Sequence, residues 1–118
     1  MFVIRKEQLD VFSAVLLARF IKEAGARLRM DFPVQTKDWT DDRWYGFIRK
    51  GVETSARYGI IERKDVLHYL QFMISYGEDF DTSQPWAARI LRVRNLSGKE
   101  KSARLLRKAN SLTQAPAL

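Results

Sequence analysis

The sequence predicts an all-α fold, a compact bundle of four to five helices with a basic C-terminal arm. Three observations carry this. Apolar residues recur at steps of three and four along most of the chain, glycine or proline stands where those runs stop, and no run of strand length alternates with period two. At 118 residues and 46% hydrophobic content there is material for one core but not for two. We therefore divide the chain into a helical domain over residues 1–95 and a basic helix with a flexible tail over residues 96–118.

The first helix is expected from Arg5 to about Asp31, because Leu9, Phe12, Leu16, Phe20, Ala24 and Leu28 fall on one face and Phe32-Pro33 then breaks the pattern. Val11, Val15, Leu17 and Ile21 widen its apolar surface, so this helix is expected at the centre of the bundle. Gly25 costs about 1 kcal/mol relative to alanine inside a helix, and its presence there points to a bend or a close helix crossing. After a loop over Pro33 to Trp39, Thr40 offers an N-cap and Asp41-Asp42 place negative charge in the first turn of a second helix. Trp44, Phe47, Ile48, Val52 and Ala56 form its buried face, and Tyr58-Gly59 ends it with a residue suited to positive φ.

A third helix, Glu62 to Tyr76, buries Val66, Leu67, Leu70, Met73 and Ile74 and stops at Tyr76-Gly77 in the same way, so the two should pair as a hairpin. Pro85 opens a short fourth helix through Trp86, Ile90 and Leu91. Ser97 to Glu100 reads as a capping box ahead of a fifth helix to about Asn110, with Ser111 to Leu118 as a frayed tail.

Charge is distributed unevenly. Residues 1–88 hold 13 Lys/Arg against 13 Asp/Glu, whereas Arg89 to Lys108 hold eight basic residues and only Glu100, so the net +7 sits near the C-terminus. A neutral body with a basic end is a different object from a uniformly basic protein. There is no cysteine, hence no disulfide, thiolate metal site or thiol nucleophile. The longest apolar stretch, Ala14 to Ala18, is too short for a signal or membrane segment. Together these point to a cytoplasmic protein with no membrane span.

No reaction chemistry emerges from the residues. His68 is the single histidine and has no second histidine or cysteine to join it as a metal ligand. No Gly-x-Ser-x-Gly elbow or phosphate-binding glycine loop is present. Glu78, Asp79 and Asp81 lack the donor spacing of a calcium loop and read as a solvated loop whose acids cap the next helix. No catalytic residue, metal or cofactor is assigned.

Binding is the remaining class. The basic residues Arg94, Lys99, Lys101, Arg104, Arg107 and Lys108 form the arm, with Arg104, Arg107 and Lys108 sharing one helix face. Phosphate contacts with nucleic acid, a membrane-surface helix and docking on an acidic protein surface are all open to such a face. A solvated face that serves only solubility is the bland alternative. Tyr76, Phe80, Asp81, Trp86, Arg89 and Arg92 form a second candidate set, in which aromatic side chains at helix ends beside an acidic loop resemble interface anchors.

Several stretches carry a likeness to a known group. Val3-Ile4-Arg5-Lys6-Glu7-Gln8, Gly51-Val52-Glu53 through Ala56-Arg57-Tyr58-Gly59-Ile60, Tyr76-Gly77-Glu78-Asp79-Phe80-Asp81 and Pro85-Trp86-Ala87 occur in that order. The chain resembles, over about residues 3 to 92, a family of short bacterial proteins encoded near spike and effector genes of type VI secretion systems. The resemblance implies a setting, accessory to effector delivery, and no catalytic motif. The expected function is a non-enzymatic adaptor or chaperone-like protein that binds a secretion effector or spike component. An immunity protein that blocks a toxin and a nonspecific nucleic-acid binder using the basic arm are the alternatives. The sequence sets no oligomeric state.

Overall fold

The computed structural model describes residues 14–114, in which there are seven helices and no strand. They are α1 (Ala14–Asp31), α2 (Pro33–Thr36), α3 (Asp41–Arg57), α4 (Arg63–Tyr76), α5 (Phe80–Ser83), α6 (Pro85–Leu91) and α7 (Gly98–Gln114). The expected start of the first helix at Arg5, with Leu9 and Phe12 on its face, lies outside the described residues. Two of the seven helices are single turns that the periodicity does not mark, since four residues are too few to show a period. Pro33 sets the first position of α2, turning part of the expected loop into helix.

Local chemistry explains the boundaries. The Thr40 hydroxyl accepts a hydrogen bond from the Arg43 amide at 3.3 Å, and Asp41 and Asp42 follow in the first turn of α3. Gly59 at φ 82° and Gly77 at φ 113° occupy the left-handed region directly after α3 and α4. Ser97 caps α7 by accepting from the Glu100 amide at 3.1 Å. α7 then runs on to Gln114, so the segment Ser111–Gln114, expected to fray, is helical.

The helices pack as a row, α1 on α3, α3 on α4 and α4 on α7, with α6 bridging α5 and α7. The centre is therefore the α3/α4 hairpin, and α1 lies on one flank. Its Val15 and Leu16 are exposed, while Phe20, Ile21, Ala24 and Leu28 face α3 as part of one continuous core with Trp44, Ile48, Val52, Val66, Leu70 and Leu105. Two glycines allow the close crossings. A Cβ at Gly25 would lie 2.6 Å from the Tyr45 ring, and one at Gly51 would lie 2.7 Å from the Met73 sulfur. The Trp44 indole N–H donates to the Gly25 carbonyl at 2.9 Å across the α1/α3 crossing, so Gly25 marks a close approach.

Candidate functional site

The basic C-terminal segment is packed against the body. Leu105 is fully buried, Ser102 and Ala109 are buried, and α7 lies along both α4 and α6. Only about one position in four of α7 is needed for this seam, which is why its sequence looks so polar. The amide end of α7 is held by the turn after α3, where Gly98 sits directly against the backbone of Gly59 and Ile60.

Tyr58 ties these pieces together. Its hydroxyl donates to the Asp81 carboxylate at 2.6 Å, and its backbone carbonyl accepts from Lys101 Nζ at 3.1 Å. The Lys101 ammonium also lies 5.9 Å from the Tyr58 ring centroid. Burial, helped by the hydrogen bond to Asp81, raises the Tyr58 pKa to about 12. Burial lowers that of Lys101. The sequence marked Tyr58 only as part of a helix end and did not mark Gly98, because each acts through a partner many residues away.

The twelve residues singled out by sequence are distributed over several environments. Phe80 is fully buried between the rings of Tyr69, at 4.9 Å, and Phe72, at 5.8 Å, and Lys101 is only 7% exposed. Both drop out of any surface a partner could touch in this fold. Asp81 is engaged by Tyr58, and Glu78 pairs with Lys50 at 3.0 Å, so these acids brace the loop; α5 has no side-chain cap. Tyr76 and Trp86 stay partly exposed and meet edge to face at 5.3 Å.

Arg89, Arg92, Arg94, Lys99, Arg104, Arg107 and Lys108 are exposed. Arg104, Arg107 and Lys108 come together with Ile90 and Ser111 around a shallow, open groove of about 490 Å³ between α6 and α7. Arg89 projects from the α6 side and Arg92 caps that helix. Arg94 lies on the link to α7, and Lys99 borders a different cleft beside α4. All four ion pairs among the described residues lie elsewhere: Arg27–Asp31, Arg29–Asp41, Lys50–Glu78 and Arg63–Glu23. Among the described residues the α6/α7 face has none.

His68 lies on α4, partly exposed, with its Nδ1 buried and unpartnered. Burial lowers its pKa, with Asp65 opposing and Lys64 reinforcing the shift. Well above pH 6.5 the ring is neutral in the folded and unfolded chain alike. As pH falls below 6.5 the unfolded chain takes up the proton first, so stability declines until the folded ring titrates too. Urea midpoints measured from pH 7.5 to 5 are expected to fall for the native protein and to change less for His68→Gln. Equal slopes would show that the ring does not govern this window.

Among the described residues no helix is long and apolar enough to cross a membrane. Compared with known proteins, the chain matches no family model, no curated sequence and no solved structure.

Proposed function

We propose that the protein is a non-enzymatic protein-binding accessory, adaptor or chaperone-like, that docks an acidic surface of a secretion effector or spike component on the α6/α7 face. The observation that carries this reading is the cluster Arg89, Arg92, Arg104, Arg107 and Lys108, exposed and without an ion pair among the described residues. Arg104 and Lys108 are four residues apart on one helix, a like-charge arrangement that costs about 0.2–0.5 kcal/mol per pair. An acidic partner would relieve that repulsion and would be steered to the face from a distance. Because α7 packs on α4 and α6, the backbone that carries these cations is ordered before binding, which lowers the ordering cost of association. Ile90 adds an apolar contact in the groove. The secretion setting rests on the family resemblance.

The test is a nuclease-treated affinity pull-down from the host at low and high salt, comparing the native chain with the triple variant Arg104→Gln/Arg107→Gln/Lys108→Gln. Removing α7 would uncover the faces of α4 and α6 on which it packs, so exposed side chains are changed in preference to truncation. A discrete protein partner, weakened roughly tenfold by the triple substitution and by salt, is the expected result. Recovery of nothing but nuclease-sensitive material would replace the reading with nucleic-acid binding, for which the same cations would contact phosphates. A partner retained equally by both proteins would move the interface off α6/α7.

A further inference from the structure

A second cleft, of about 630 Å³, opens where the end of α1, the first half of α4 and the first turn of α7 meet. Its volume is that of a small-molecule pocket, and the half-buried Leu67 gives it an apolar wall, with the buried Leu28 behind it. Four cations border it. Arg27 and Arg63 are engaged with Asp31, at 3.7 Å, and Glu23, at 2.7 Å, which leaves Lys64 and Lys99 without an ion pair among the described residues. The bordering acids, Glu62 and Asp65, occupy the N-cap and first turn of α4, where negative charge answers the helix dipole.

His68 lines the same cleft. Its Nδ1 is sealed from solvent with no hydrogen-bond partner, and no bond to Nε2 is formed among the described residues either. A neutral imidazole carries one N–H, and a donor enclosed without an acceptor costs free energy that the same donor avoids on an accessible nitrogen. The Nε2–H tautomer is therefore favoured. The ring then offers a donor to the cleft beside two free ammonium groups.

We propose that this cleft binds a small organic anion, its phosphate or carboxylate taken by Lys64, Lys99 and the His68 Nε2–H and its apolar body lying against Leu67. The cleft and the α6/α7 groove share no lining residue, so either reading can fail while the other stands.

As His68 is the single histidine of the chain, its Cε1–H signal in a proton NMR spectrum reports on the cleft without assignment. Phenyl phosphate, benzoate and adenosine monophosphate are the probes, with inorganic phosphate and benzylamine as controls. At least one probe is expected to move the signal saturably, with Kd of roughly 0.1–1 mM, a range common for fragment-sized ligands. Lys64→Gln/Lys99→Gln should weaken that probe about tenfold, as expected when charge-assisted hydrogen bonds are lost, and both side chains are exposed, so the fold is kept. Three silent probes would overturn the proposal. So would a shift that inorganic phosphate or benzylamine reproduces, or one that the double variant leaves unchanged.

Discussion

Gly98→Val is expected to detach α7 from the body and to destabilise the chain by more than about 3 kcal/mol, against a typical domain stability of about 5–15 kcal/mol. A Cβ at this position runs into the Gly59 carbonyl and comes within 2.8 Å of the Ile60 nitrogen. Excess volume in a core usually costs about 1–3 kcal/mol because side chains move aside. Here the obstacle is backbone, and the Gly59 turn that would have to yield is itself set by a φ of 82°. Displacing the first turn of α7 also pulls Lys101 from the Tyr58 carbonyl and uncovers Leu105. Urea unfolding together with hydrogen exchange of the α7 amides measures both effects. Gly46→Ala is the control: it lies on the exposed side of α3 with nothing within 4 Å of an added Cβ, so it should be neutral or stabilise by up to about 1 kcal/mol. Native-like stability in Gly98→Val would mean that α7 is not docked in solution, and the basic end would then be a free arm.

Trp44→Ala should be comparably damaging, at about 3–5 kcal/mol. Trp44 is fully buried at the α1/α3 crossing, stacks on Phe47 at 5.5 Å, and receives the edge of Trp39 at the same distance. Its N–H makes the buried polar contact across the crossing, donating to the Gly25 carbonyl, and so helps fix the rotation of α3 on α1. Arg29 closes the cluster from outside, lying 5.7 Å from the Trp44 ring centroid and pairing with Asp41 at 2.7 Å. Trp44→Phe keeps most of the apolar volume and forfeits the hydrogen bond, so a smaller loss of about 1–2 kcal/mol is expected. The two urea midpoints separate packing from polar registration. If both substitutions cost the same, the indole N–H would be the dominant contribution and the volume argument would fail.

Both predictions concern residues whose importance depends on distance in space, and this separates what was legible from what was not. The all-α class and most helix boundaries follow from nearest-neighbour chemistry: Thr40 and Ser97 cap from within their own first turns, Gly59 and Gly77 supply positive φ, and Pro85 starts α6. Such signals act over three or four residues and can be read from a string. The hydrophobic period likewise picked out Trp44, Phe47, Ile48 and Val52 on α3 and Val66, Leu70 and Met73 on α4, all buried, but it missed Tyr69 and Phe72, and Ala56, Leu67 and Ile74 are only half-buried. It could not rank the helices, and the wide apolar surface of α1 pointed to the centre although the α3/α4 hairpin occupies it.

Sites were less legible because a charge in a sequence has no partner until the chain folds. Composition located the excess of positive charge near the C-terminus, but packing decided that Lys101 is enclosed, that Lys99 faces the α4 cleft, and that Arg104, Arg107 and Lys108 share a groove with Ile90. Phe80 belongs to a four-residue helix, too short for a period to show which way it faces, and only its meeting with Tyr69 and Phe72 buried it. The sequence by itself determined helix type, helix ends and the sum of the charge, which are local or additive quantities. Tertiary structure alone decided which cations remain free, where the clefts open and why Gly98 must be glycine, because each of these depends on chain segments that only folding brings together.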